Sequence, residues 1–175
     1  MIADVVPFGS EAYVIFLVLL IVSRAMDFFS TWVATPNLLL EANPIARKLG
    51  WRWGIPVNVA LCVGFATWPL PAIIISTTSV LVAARNFQSA WIMRAIGEDT
   101  YRLWISERLG ETPMALFLFC LFAQALLFAS VGGVLICFSD LRLVPLGIGM
   151  GLVGYAVTVV LYTLISVWRH RHPAR

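Results

Sequence analysis

Arg24 and Asp27 lie inside the first long apolar stretch of the chain, which runs from Tyr13 to Trp32. A charged side chain at the centre of a membrane helix costs about 2.5–3.5 kcal/mol on insertion scales, so such residues mark functional sites by default. Three positions apart, the two project from the same side of one helix and can pair. Ser23, Ser30 and Thr31 extend that polar side. A guanidinium and a carboxylate in this setting suit three tasks: gripping a charged ligand, relaying a proton, or fixing how neighbouring helices pack.

Polar residues recur at comparable depth in the later apolar stretches: Asn58 in the second, Arg85 and Asn86 in the third, Gln124 in the fourth. At about 1.5 Å of helix per residue, all of them fall between the membrane centre and the cytoplasmic end, while the outer halves are almost purely apolar. That bias predicts a polar site or cavity open to the cytoplasm. Its charges are uneven, since Arg24 and Arg85 supply two positive charges and Asp27 one negative. Three arrangements would settle the surplus. Glu41 folds back into the bundle, an anionic ligand such as a lipid phosphate or carboxylate binds, or Arg85 snorkels to the interface and balances nothing.

The segment Pro36–Pro44 is apolar in its middle, bounded by prolines, and carries Asn37, Glu41 and Asn43. Asn43-Pro44 reads as a helix start, with Asn43 as N-cap and Pro44 at the first helical position. Glu41 reads either as a plain interfacial acid or as the partner of Asp27 in a two-carboxylate metal or proton site. Two acids without histidine or further carboxylates are a weak metal signal, so no metal ligands are assigned. Asp27-Phe28-Phe29-Ser30-Thr31 followed by Glu41-Ala42-Asn43-Pro44 resembles small prokaryotic multi-pass membrane proteins of unknown function. In these an Asp-x-x-Ser/Thr-Ser/Thr helix precedes Glu-x-Asn-Pro. The resemblance covers roughly residues 20–65. It implies that Asp27, Ser30, Thr31, Glu41, Asn43 and Pro44 act together, and it implies no activity.

The elements that must position these residues follow from composition. The chain of 175 residues is 61% hydrophobic and 12% charged, with a mean hydropathy of +0.91. Soluble domains are about 45–50% apolar and about 25% charged, so the lipid bilayer is the expected solvent. The net charge of +3 does not indicate nucleic acid, because the basic residues are scattered at the ends of apolar segments with no face to track phosphates. Cys62, Cys120 and Cys137 all fall in apolar stretches and read as small core residues. The N-terminus lacks a basic n-region, so the first apolar segment is expected to remain as an anchor.

The apolar pattern predicts a single all-α domain over 1–175, a polytopic transmembrane bundle with spans at about 12–34, 53–68, 72–93, 113–138 and 144–168. Pro69-Leu70-Pro71 breaks the chain after the short second span. The stretch 94–111 is expected as a short helix at the cytoplasmic surface, with Ile96, Leu103 and Trp104 on one side. With five spans the basic segments 35–52, 94–111 and 169–175 share one side, which the positive-inside rule makes cytoplasmic, with the N-terminus out and the C-terminus in. Trp32, Trp51, Trp53, Trp91, Trp104 and Trp168 then fall near the inner boundary and Trp68 near the outer one. Gly147, Gly151 and Tyr155, four apart, with Gly149 and Gly154 nearby, form a small face that lets helices approach closely, as Gly132-Gly133 does in the fourth span. His170 and His172 sit among arginines and read as part of a basic anchor near anionic lipid.

No Walker loop, nucleophile elbow, zinc-protease or haem motif is present, so no cofactor is named. Three functions fit. The leading one is a small protein of the prokaryotic cytoplasmic membrane whose polar intramembrane site binds or transports an anionic or zwitterionic solute or a lipid head group. Its ligand-binding residues are Arg24, Asp27, Ser30, Thr31, Glu41, Asn43, Asn58, Arg85, Asn86 and Gln124. With so few spans, a homo-oligomer is expected for transport. The alternatives are a membrane enzyme acting on a lipid or lipid-linked phosphate, with Asp27 and Glu41 as metal ligands or general base, and an accessory subunit of a larger membrane complex.

Overall fold

The computed structural model describes residues 5–171, with side chains to Trp168. Residues 1–4 and 172–175, and the side chains of Arg169, His170 and Arg171, lie outside the description, and with them the expected basic anchor. Among the described residues the chain forms six helices and no strand: α1 (Glu11–Ala34), α2 (Pro44–Phe65), α3 (Pro69–Ile96), α4 (Glu98–Glu111), α5 (Met114–Cys137) and α6 (Leu143–Arg171). Four of them, α1, α3, α5 and α6, are long and apolar enough to cross a membrane. Their large side chains, such as Val14, Val18, Val22, Phe119, Leu127 and Val157, are mostly exposed, as lipid-facing surfaces require. The protein is an integral membrane helical bundle.

The second expected span is not among the four. α2 starts where Asn43 accepts from the N–H groups of Ile45 and Ala46, with Pro44 in its first turn. It is interrupted at Gly50 (φ 61°), a left-handed backbone that a side chain would strain. Its first half carries Arg47, Lys48 and Arg52, so the uninterrupted apolar piece is short. Other boundaries shift as well. α3 begins at Pro69, with its prolines in the first turn where no N–H is needed. It runs on to Ile96 before Gly97 (φ 80°) turns the chain into α4. α4 buries no side chain, and Leu103 and Trp104 are exposed. Of the cysteines only Cys62 is buried; Cys120 and Cys137 face outward. Both lie on α5, whose outer face looks into lipid rather than into a core.

α1 and α3 form the tightest pair and run parallel, since Arg24 meets Ser79, Thr31 meets Asn86 and Thr35 meets Glu98. Their seam is built from Leu20, Ser23, Ser30 and Ala34 on one side and Ala72, Ser76, Ser79, Ala83 and Ala90 on the other. Small residues let the backbones approach, which is how helices associate where lipid removes the hydrophobic drive. α6 runs parallel to α3, with Gly147 against Ile73, Gly151 against Thr77 and Thr163 near Arg85. α5 packs antiparallel on α6, with Gly132 opposite Gly149 and Phe128 edge-on to Tyr155. α2 lies antiparallel along α1, from Trp51 beside Phe28 to Val63 beside Tyr13. It touches α1 and α3 far less than those two touch each other, which leaves room beside it.

The glycines of α6 divide their work: Gly147 and Gly151 admit α3, and Gly149 admits α5. A Cβ on Gly132 would stand 2.6 Å from the Gly149 carbonyl oxygen, a backbone atom that cannot swing away. Gly132→Ala is therefore expected to destabilise the bundle by about 1–3 kcal/mol, the usual range for overpacking. Gly133→Ala, with nothing within 4 Å, is expected to be neutral. Thermal unfolding in detergent checks this, and equal midpoints for the two variants would contradict the close α5–α6 approach.

Candidate functional site

The guanidinium of Arg24 is the polar centre of the bundle. Its Nη1 donates to Asp27 Oδ2 at 2.7 Å and to Ser79 Oγ at 3.1 Å, and its Nε donates to Asn58 Oδ1 at 2.9 Å. Nη2 shares that Asn58 oxygen. Asn58 is oriented in turn by its amide, which donates to the Gly54 carbonyl at 2.8 Å. The face of Phe28 lies 5.5 Å from the guanidinium carbon. One side chain of α1 thus binds α2 and α3 at once. The i,i+3 pairing with Asp27 is as the spacing predicts; Ser79 is a partner that sequence reasoning missed, because serine in an apolar helix carries no signal of its own.

A cavity of about 530 Å³ opens beside this centre, bounded by α1, α2, α3, α6 and the 35–43 loop. Arg24, Asp27, Thr31, Glu41, Asn43, Asn58, Arg85 and Asn86 all reach its wall. Ser30 stands behind the wall, buried in the α1–α3 seam, where it donates to the Asp27 carbonyl and accepts from Asn86 Nδ2 at 3.2 Å. Asn86 also donates to Thr31 at 3.1 Å. Gln124 is outside the site: it is exposed on α5, which α6 separates from the cavity. Depth along a span can be counted from the sequence, but the direction a residue faces depends on which helices pack around it. α6 adds Tyr162 and Thr163, whose spacing after Thr158 was the available sign of a polar face.

The two arginines differ in kind. Arg24 is saturated. Arg85 has only Thr163 Oγ1 at 3.5 Å from its Nη2, and its Nη1 is buried with no hydrogen-bond partner among the described residues. Buried guanidinium donors without acceptors are costly, so the Arg85 end of the cavity is suited to an oxyanion. Glu41 lies in the wall, where its carboxylate accepts from the Asn43 N–H at 2.7 Å. Burial raises its pKa; that hydrogen bond opposes the shift and the nearby negative charge of Asp27 adds to it. With Arg24 and Asp27 neutralising each other, Arg85 and Glu41 leave one positive and one negative pole in the same cavity. Among the described residues no cluster of three or more potential metal ligands occurs.

A carboxylate absent from the sequence reading closes this end of the bundle. Glu98, in the first turn of α4, accepts from Thr35 Oγ1 at 2.7 Å, from Asn37 N and Nδ2 at 3.0 and 3.1 Å, and from Leu39 N at 3.2 Å. Leu38, at φ 56°, turns the loop around it. Trp51 Nε1 donates to the Pro36 carbonyl at 2.8 Å, so the loop that carries Glu41 is held from both sides. No family model, curated protein or solved structure matches this chain, so the functional argument rests on this geometry.

Partial burial pushes the Glu98 carboxyl up, but the hydrogen bonds from Thr35, Asn37 and Leu39 outweigh it and hold its pKa below the ordinary 4.5. A carboxylate lowered on folding stabilises the protein above its unfolded pKa, and the contribution is lost as pH falls through the folded value. Glu98→Gln is expected to cost about 1–2 kcal/mol near neutral pH, given the exposure of some of these bonds. The gap to the wild type should close as pH drops below that ordinary value. Melting temperatures across the acid range test this; a gap that does not change with pH would refute the clamp.

Proposed function

We propose that this protein is a small membrane protein whose polar cavity faces the cytoplasm and binds, for carriage or presentation, an anionic or zwitterionic group belonging to a solute or a lipid head. The observation that carries the reading is the buried, unpartnered Nη1 of Arg85 on the wall of a 530 Å³ cavity. A guanidinium used only to brace helices would resemble Arg24, with all three nitrogens engaged. Arg85 instead keeps donors free beside a space large enough for a small ligand. The opposite pole at Glu41 suits the amine of a zwitterion.

The reading includes five crossings with the basic end inside. Three facts support it. α1, α3 and α6 run parallel, so α2 and α5 each return the chain across the same thickness. The loops at the Glu98 end carry Arg47, Lys48, Arg52, Arg94, Arg102 and Arg108, and the opposite end has Arg142 alone among the described residues. Positive loops stay in the cytoplasm. Deficient length in α2 is offset by its place along α1, where Asn58 and Gly54 meet Arg24 and Phe28 rather than lipid.

Native mass spectrometry of the protein extracted gently from its own membrane tests the function. A stoichiometric small ligand is expected on the wild type, and Arg85→Ala should reduce its occupancy by tenfold or more, since a charge-assisted pair contributes about 1.5–3 kcal/mol. A bare protein in both forms would remove the reading. Because the Arg85 guanidinium has only the long Thr163 contact, its replacement should not lower the melting temperature; a marked loss would make it a structural residue.

A further inference from the structure

The cavity wall is mixed. At the Glu98 end it carries Glu41, Asn43, Arg85, Asn86, Tyr162 and Thr163. From about one helical turn back along α3, Val57, Leu61, Val82 and Val159 add apolar wall beside the engaged Arg24 and Asn58. The hydroxyls there are engaged by backbone: Thr78 bonds the Ile74 and Gly151 carbonyls and Thr158 the Gly154 carbonyl.

The ways in also differ. On the water side, the 35–43 loop roofs the cavity and is pinned by Glu98 and Trp51. On the lipid side, α2 and α6 form the two banks without an extended contact. No hydrogen bond or ion pair bridges them among the described residues, and Val57 and Leu61 on the α2 bank are 39% and 49% exposed. The route past the pinned loop leads to water, and the one between α2 and α6 leads to the bilayer.

From this apolar wall, this opening and the unpartnered Arg85 Nη1 we infer that the ligand is a membrane phospholipid entering sideways between α2 and α6, with its phosphate on Arg85 and its acyl chain along Val57, Leu61, Val82 and Val159. The inference rests on the ligand-binding reading above and narrows it to an amphiphile. The phosphate takes the free Nη1 and the Thr163 hydroxyl. The chain covers apolar wall that an aqueous solute would leave wetted.

Three water-soluble probes separate head from tail on the full-length protein in detergent: dihexanoyl phosphatidic acid below its micelle concentration, glycerol 3-phosphate, and dihexanoylglycerol. Binding is read by native mass spectrometry and thermal shift. Phosphatidic acid should bind at one per chain, at least about tenfold tighter than either half, since burying two methylene groups already supplies that factor. Arg85→Gln should bring its affinity down to that of dihexanoylglycerol. Leu61→Trp, at an exposed position that tolerates bulk, should bring it down to that of glycerol 3-phosphate. Glycerol 3-phosphate binding as tightly as phosphatidic acid, unaffected by Leu61→Trp but lost in Arg85→Gln, would overturn the lipid inference and leave a soluble-anion site standing. Phosphatidic acid binding unchanged by both substitutions would mark surface lipid and overturn it too. No binding of any probe, with no ligand on the native protein, would overturn both readings.

Discussion

A guanidinium in the middle of an apolar bundle must be met by acceptors, and the rest of this structure is arranged around that requirement at Arg24. Its own helix supplies Asp27, α2 supplies Asn58 and α3 supplies Ser79. Lipid tails offer no acceptor that could substitute for any of them. The charge therefore sets the register of three helices against one another. It also explains the position of α2, which has few packing contacts with its neighbours and is joined to α1 by polar and aromatic ones.

Close packing does the complementary work. Where α1 meets α3 and α3 and α5 meet α6, serine, alanine and glycine bring backbones together. α2 has few such residues on its inner face, with Gly54 packed under Phe28 as the exception. It stands off, and the polar cavity is the space this leaves. The tight part of the bundle acts as a scaffold, and the helix with fewer packing contacts forms one bank of the cavity.

The two ends of the cavity are controlled by different forces. Glu98 gathers the backbone of the 35–39 turn in the way an anion is held by converging N–H groups. That clamp fixes the loop bearing Glu41, in surroundings where water can reach and pH matters. Deeper in, Arg85 and the valines are governed by desolvation: a buried guanidinium donor without an acceptor is costly, and a buried valine is not.

Much was legible in residue order because the causes are local. Apolar runs without charge imply membrane helices whatever they pack against. The spacing of Arg24 and Asp27 places them on one helical face, Asn43-Pro44 starts a helix, and Pro69 starts another. What stayed hidden is relational. Lipid and bundle interior are both apolar, so an apolar pattern does not tell which face of a span turns inward. Gln124 and Arg85 look alike in sequence, yet one faces outward and the other lines the cavity. Arg24 and Arg85 carry the same group, and only the neighbours brought by other helices leave the first saturated and the second with a free donor. Glu98 reads as one charge of a mixed surface helix until folding lays the 35–39 turn over it, some sixty residues away in sequence. Local spacing decides which groups can share a face; the packing of distant helices decides what that face meets.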